Sequence, residues 1–548
     1  MINKIFLSIL FLFAWFSVYC CTSFVVGKDA STDGSSLMSY SADSYLMYGS
    51  LYHSPAASYA DSAMLSVHDW ETGKYLGKIK QVQKTYSVVG NMNDQQVSIG
   101  ESTFGGRPEL LDSTGILDYG SLIYIALQRA ASAREAIKVM TDLVSEYGYC
   151  SSGESFSIAD PNEIWIMEMI GKGTNNKGAV WVAQRIPDDA VSAHANQARI
   201  TVFPLEDTSN CLYSSDVIAF AREKAYFNGR NVDFSFSDTY NPLDYSALRF
   251  CEARVWSFFR KVDPAMGKYL GYIKGDSLVR MPLWVKPKNK ISTQSLKDYM
   301  RDEFQGSDFE MSKGLAAGAF GSKLRNSPLT FKLDSLEYGH DRPVATQQTA
   351  FSLVAQMRSW LPNYIGGVLW FGVDDAACSL YVPLYCGIDS IPFCYSSKNG
   401  NLVKYSATSA FWIFNGVSNF AYSKYNCMLP DIKKVQAHWE KDFTALVPAV
   451  DKLAIDMSEK EARAYLSKFS FEQAEKSTDA WKKLGEYLLV KYLDGNVKKE
   501  YNGQFVKNEF GIPPSIIREG YPEAFLRKMV KEQPSMRMKT EAEFKKRK

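Results

Sequence analysis

The sequence predicts an α+β fold in which helices are layered on sheets, and three features of its N-terminal part carry that reading. A strand–turn–strand opening covers Thr22 to Ser41. Two consecutive helical patterns cover Tyr119 to Tyr147, and strand patterns return between Ser155 and Arg185.

Taken in order, Thr22 to Val26 is mostly β-branched or aromatic, Gly-Lys-Asp-Ala-Ser-Thr-Asp-Gly makes a turn, and Ser36 to Ser41 resumes an extended pattern, which reads as a hairpin. A second extended pair is expected at Tyr86 to Val89 and Gln96 to Ile99, joined by Gly90-Asn-Met-Asn-Asp, whose residues suit left-handed turn positions. Helices are expected over Tyr119 to Ala131 and Ser132 to Tyr147. The second opens on Ser132-Ala-Arg-Glu135 as a capping box and stops at Gly148. Ala136, Val139, Met140, Leu143, Val144 and Tyr147 share one face of it, which should lie on a sheet.

Strands follow at Ser155 to Ala159, Ile164 to Met169 and Ala179 to Arg185, the first two hinged by Asp160-Pro-Asn. Residues 205 to 340 are rich in aromatic and turn residues and read as irregular elaboration. Sheet-like composition returns at Tyr364 to Val373 and Ser379 to Val382. From about Pro430 the pattern becomes charged and amphipathic, as in Glu459 to Lys468 and Asp479 to Tyr492, and the tail Lys545-Lys-Arg-Lys548 should be frayed and solvated.

The first residues read as a signal peptide, with a nearly unbroken apolar run from Ile5 to Val18 before Tyr19 and Cys20. The run is shorter than the roughly 20 apolar residues of a membrane-spanning helix. The expected product is therefore exported, periplasmic or extracellular, and not stably inserted in a membrane. A lipoprotein signal is the rival reading, opposed by bulky Tyr19 before either candidate cysteine.

At 46% hydrophobic and 14% aromatic residues the chain can bury a large core. A net charge of +2 gives no field to recruit nucleic acid. Of nine cysteines, Cys20 leaves with the signal, and a nucleophilic Cys21 would leave an odd number, which excludes a fully paired disulfide framework. Cys386 and Cys394 could bridge, and at least one other thiol should be a buried apolar filler.

Common hydrolytic signatures are missing: there is no His-Glu-x-x-His, Gly-x-Ser-x-Gly, Cys-x-x-Cys or phosphate loop. The five histidines, His53, His68, His194, His340 and His438, sit in no metal-ligand spacing. Neither a zinc enzyme nor a serine triad is expected. The cleavage junction itself offers chemistry. A chain beginning at Cys21 carries a thiol with a pKa of about 8.5 beside a terminal amine of about 8. The amine can take the thiol proton, so one residue supplies nucleophile and base. If the signal is cut elsewhere, Cys21 is an ordinary residue.

The opening CTSFVVGKDASTDGS resembles that of the C69 dipeptidase family, relatives of secernins and more distantly of penicillin acylases and bile-salt hydrolases. The likeness continues through TYSVVGNMNDQQVSIGESTFGGR, DYGSLIYIALQRAASAREAI, SSGESFSIADPNEIWIMEMIGKG, SAHANQARIT, RFCEARVWS, TQQTAFSLVAQMRSWLP and GGVLWFGVDD. It implies a four-layer αββα N-terminal-nucleophile (Ntn) hydrolase sandwich, exposure of the cysteine by autocatalysis or a signal peptidase, and cleavage of an amide in a dipeptide or similar small substrate. The implied domains are a signal peptide (1–20), a catalytic domain (21–430) and a helical C-terminal extension (431–548).

The resemblance also implies roles. Cys21 is the nucleophile, and Asp43 orients its terminal amine, favouring the charged form. Asn196 supplies an amide donor to the oxyanion. Thr103 falls at the offset of the other oxyanion donor, where several acylases have asparagine. Arg249 or Arg254 corresponds to an arginine near the nucleophile, with Arg249 favoured. Many relatives carry arginine three residues before the Asp43 position, where this chain has Tyr40, a departure that bears on substrate choice. Glu101 and Glu154 are candidate binders of a substrate's amino group, each also readable as a structural carboxylate.

The expected partner is a small peptide substrate. No metal or organic cofactor is implied, and homo-oligomerisation is left open. The alternatives are an exported amide hydrolase of the penicillin or bile-salt acylase type, and a non-catalytic exported binding protein on the same scaffold.

Overall fold

The computed structural model describes residues 21–326 and 329–545. The expected signal peptide, residues 1–20, lies outside the described residues, as does the end of the basic tail.

The N-terminal hairpin is present as β1 (Thr22–Val26) and β2 (Ser36–Asp43), antiparallel and buried throughout. After it come β3 (Ser98–Gly105), α1 (Tyr119–Arg129), α2 (Ala133–Tyr147), β4 (Gly153–Ala159), β5 (Ile164–Gly171), β6 (Ala179–Ile186) and β7 (Val191–His194). The second half supplies α3 (Ala253–Val262), α4 (Thr293–Met300), β8 (Thr349–Met357), β9 (Gly367–Val373) and β10 (Val382–Tyr385). Three long helices, α5 (Ala410–Ala421), α6 (Tyr425–Ala454) and α7 (Glu459–Lys491), follow.

Two antiparallel sheets hold these strands. One runs in the order Trp284–Val285, β7, β1, β2, β8, β9, β10. The other runs Cys211–Tyr213, β6, β5, β4, β3, Met92–Asn93, Val88–Val89, His53–Ser54. Strands β1 and β2 pack on β3 and β4, so the sheets face one another. Helices α1 and α2 pack on β3 to β6, whereas α3 to α7 pack on strands of the first sheet. Coverage on both faces explains why β1, β2, β4, β5, β8 and β9 are buried along their whole length.

Helix α2 keeps most of its predicted start. Ser132 Oγ accepts from the Glu135 N–H at 3.2 Å, but the Glu135 carboxylate reaches the Ala131 N–H at 2.8 Å instead of that of Ser132. Gly148, at φ +80°, ends the helix.

Several expectations differ from the structure. The second hairpin is tighter, pairing Val88–Val89 with Met92–Asn93, and β3 finds its main partner in β4. Residues 205–340 hold α3, α4 and shorter helices besides the loops. The two charged C-terminal patterns belong to one helix, α7, whose complete capping box joins Ser458 and Glu461. Cys386 and Cys394 do not bridge, and all eight described cysteines are free. The Cys386 thiol turns to the Asn363 carbonyl at 3.3 Å.

Candidate active site

Cys21 stands at the head of β1, 5% exposed, where the cross-strand neighbourhood of β2 brings Asp43 beside it. The backbone N–H of Asp43 and the Glu101 carboxyl both lie within hydrogen-bonding reach of the sulfur. Burial pushes the thiol well above its ordinary value. The charges of Glu101 and Asp43 push the same way, and the Asp43 N–H opposes them.

Asp43 is itself buried, and burial raises its carboxyl to about 7 against the pull of its donors. Thr349 Oγ1 donates to it at 2.6 Å and Ser41 Oγ at 3.0 Å. Thr349 opens β8, the next strand in the sheet, so the carboxylate is gripped from its own strand and its neighbour.

Arg254, buried at the start of α3, joins the nucleophile to the loop after β7. Its Nη1 donates to the Cys21 carbonyl at 2.9 Å and to Thr22 Oγ1 at 2.8 Å. Its Nη2 donates to the Ala195 carbonyl at 3.1 Å and to Asn196 Oδ1 at 2.8 Å. Asn196 has a left-handed backbone, φ +63°, and its Nδ2 donates to the Thr103 carbonyl at 2.7 Å. Among the described residues the second amide hydrogen of Nδ2 meets no acceptor. Arg249, favoured on sequence, is elsewhere: it pairs with Asp341 at 2.8 Å and lies over the Phe309 ring. Arg254 is the arginine at the cysteine.

On the facing sheet, Glu101 of β3 and Glu154 of β4 form a buried acid pair. Tyr40 OH donates to Glu101 Oε1 at 2.5 Å, and Thr103 Oγ1 donates to Glu154 Oε2 at 3.0 Å. The remaining oxygens, Glu101 Oε2 and Glu154 Oε1, accept no N–H or O–H from another described residue, and the two carboxyls are close enough to share a proton. Burial, then the Glu101 charge, holds the Glu154 carboxyl well above the usual carboxylate range. Tyr40 can lie so close to β3 because residue 100 is glycine; a Cβ there would sit 3.0 Å from Tyr40 Cβ.

A cleft of about 660 Å³ opens nearby, although neither Glu101, Glu154 nor Cys21 lines it. Its lining includes Ser44, which follows Asp43, Phe351, whose ring meets Tyr40 edge-on, and Glu71, which accepts from Tyr119 OH at 3.0 Å. Tyr119 lies near Glu101 and Cys21 and was not anticipated, nor were Thr349, Ser102, Ser157 and His194, which build the surroundings. Their only sequence signal is membership of the motif segments. Among the described residues, no three His, Cys, Asp or Glu side chains are grouped to hold a metal ion.

The sequence model described as Peptidase family C69 matches residues 20–438. A probable dipeptidase of Salmonella dublin is 24% identical over 389 residues, covering 68% of this chain and 82% of that protein. A probable dipeptidase of Latilactobacillus sakei is 22% identical over 456 residues, with 79% and 87% covered. Probable dipeptidase B of Streptococcus pyogenes serotype M1 is 24% identical over 531 residues, covering 90% of this chain and 97% of that protein.

Proposed function

The chain belongs to peptidase family C69, and from that premise we propose that it hydrolyses dipeptides through an acyl-enzyme on Cys21. The observation that carries the proposal is the convergence on one buried cysteine of Asp43, Glu101 and the Arg254–Asn196 bridge. The relatives named probable dipeptidase support the substrate class. The two facing sheets with helices on both sides support an αββα Ntn-hydrolase sandwich, whose outer helical layer continues past the expected boundary at 430, because α6 crosses it unbroken and α7 packs on β10.

In this reading, residues 1–20 are removed on export to the periplasm or the outside of the cell, and the Cys21 amine becomes free. The amine takes the thiol proton as sulfur bonds to the scissile carbonyl carbon. The free Nδ2 hydrogen of Asn196 then stabilises the developing oxyanion, and Arg254 holds that amide in place. Collapse breaks the C–N bond, and the leaving amine takes the proton from the Cys21 ammonium. Water then attacks the thioester, giving its proton back to the amine, and the acid and thiol are released. Asp43 holds the amine and favours its charged form.

The acid pair receives the substrate's ammonium group. The two buried carboxyl oxygens that accept no N–H or O–H from another described residue suit a group with three N–H bonds, arriving beside the Cys21 thiol. A cation there also offsets the charges that hold the Cys21 thiol protonated. The test is a dipeptide panel assayed with wild-type and Cys21→Ala proteins. Turnover only by the wild type is expected; equal turnover by the variant rejects the mechanism.

A further inference from the structure

Between the sheets, side chains from four strands form one line of hydrogen bonds that runs from a backbone carbonyl of a fifth strand to Asn196. Ser23 Oγ on β1 donates to the Ser39 carbonyl on β2 at 2.8 Å. Ser23 Oγ also meets Ser157 Oγ on β4 at 2.8 Å, and Ser157 Oγ meets His194 Nε2 on β7 at 2.8 Å. On the other side of the ring, His194 Nδ1 meets Ser102 Oγ on β3 at 2.6 Å, and Ser102 Oγ accepts the Asn196 N–H at 3.1 Å. All of these side chains are buried.

The direction of the line is fixed by counting hydrogens. A carbonyl can only accept, so the single hydroxyl hydrogen of Ser23 goes to Ser39. Ser157 must then donate to Ser23, and having one hydrogen it must accept from His194 Nε2–H. A neutral ring bearing hydrogen on Nε2 has a bare Nδ1, which accepts from Ser102. Full burial, together with the nearby Arg199 and Arg254 charges, lowers the ring to about 3 and keeps it neutral. Every donor and acceptor along the line is then used once, and reversing one link would leave a buried group unpaired.

We propose that His194, as its Nε2–H tautomer, is a positioning residue that holds Asn196 in oxyanion-binding geometry and ties it to β1 two residues beyond Cys21. The proposal rests on the roles of Cys21 and Asn196 given above. Asn196 stands in a left-handed backbone that non-glycine residues adopt infrequently, and its N–H bond to Ser102 is one of the contacts that keep it there.

The test has two arms. In long-range ¹⁵N–¹H spectra of the exported protein with labelled histidine, His194 should show a protonated Nε2 and a bare Nδ1, unchanged from about pH 5 to 8. An Nδ1–H tautomer, or titration within that range, overturns the proposal.

In the second arm, Ser157→Ala and His194→Leu break the line, whereas His194→Gln keeps one acceptor and one donor at that position. The broken variants should lose about 10- to 100-fold in kcat with KM nearly unchanged, and His194→Gln should recover most of the loss. Alkylation of Cys21 by iodoacetamide, which needs no oxyanion donor, should proceed at the wild-type rate in all three. Folded broken variants with wild-type kcat overturn the proposal, as does an alkylation rate that falls in step with kcat. Absence of dipeptide hydrolysis in the wild type rejects the functional reading instead, and the tautomer spectrum still decides the line.

Discussion

Asn196 Oδ1 accepts from Arg254 Nη2 at 2.8 Å, while the other terminal nitrogen of the same guanidinium donates to the Cys21 carbonyl at 2.9 Å. One planar group therefore sets the distance between the nucleophile's strand and the amide assigned to the oxyanion.

A lysine at this position cannot reproduce the fork. Arg254→Lys should leave at least one buried acceptor unpaired, at a cost of about 1–3 kcal/mol in stability. Denaturant melts should register that loss, and kcat should fall at least tenfold. Arg249→Ala is the control. Its partner Asp341 and its own side chain are about a fifth exposed, so the loss should be no more than about 1 kcal/mol, with kcat within twofold of wild type.

Removing the Asn196 amide without straining the backbone requires glycine, which accepts φ +63° at no steric cost. Asn196→Gly should lower kcat by about 10²- to 10³-fold and change KM little. A parallel rise in KM would show that the residue binds the ground state instead.

The acid pair makes a prediction about substrate charge. Acetylating the amino group of a good dipeptide substrate should lower kcat/KM about 10- to 100-fold, the worth of a charge-assisted hydrogen bond. Glu101→Gln should lower kcat/KM on the free-amine substrate by a similar factor and narrow the gap between the two substrates. Wild-type cleavage of both at one rate contradicts the assignment.

Stability should fall between about pH 4 and 7 through buried Glu168 on β5. Burial raises its carboxyl to about 7, outweighing the Arg199 and Ile200 N–H groups that donate to it. In that window the folded state holds a proton that the unfolded chain has lost. The contribution is therefore full below the unfolded value and diminishes as pH rises through the folded one, by about 1.4 kcal/mol per unit. Urea melts of Glu168→Gln should show a shallower decline over this range than wild type.

The parts of the fold legible in sequence are those whose signal is local. Thr22–Val26 and Ser36–Asp43 carry strand composition around a turn-rich octet, and Ser132 with Glu135 marks the start of α2. Strand β8 was missed because it is buried on both faces, so Thr349 to Met357 shows no two-residue alternation. The site divides in the same way. Cys21, Asp43, Asn196, Glu101 and Glu154 were all reached through motifs, and the structure gathers them around one centre. Arg249 and Arg254 share one short motif, and only the packing of α3 against β7 distinguishes them. The line through His194 depends on the facing of two sheets, which no segment of sequence encodes by itself.

The central claim is that the working enzyme begins at Cys21 and reacts through its thiol. Intact and peptide-level mass spectrometry of the exported protein, with and without a thiol-directed electrophile, tests both halves together. The account predicts a chain starting at Cys21 with a single adduct on that residue, formed in step with loss of dipeptide hydrolysis. A mature chain starting elsewhere, an acylated N-terminus, or full inhibition with the adduct on another cysteine would contradict it.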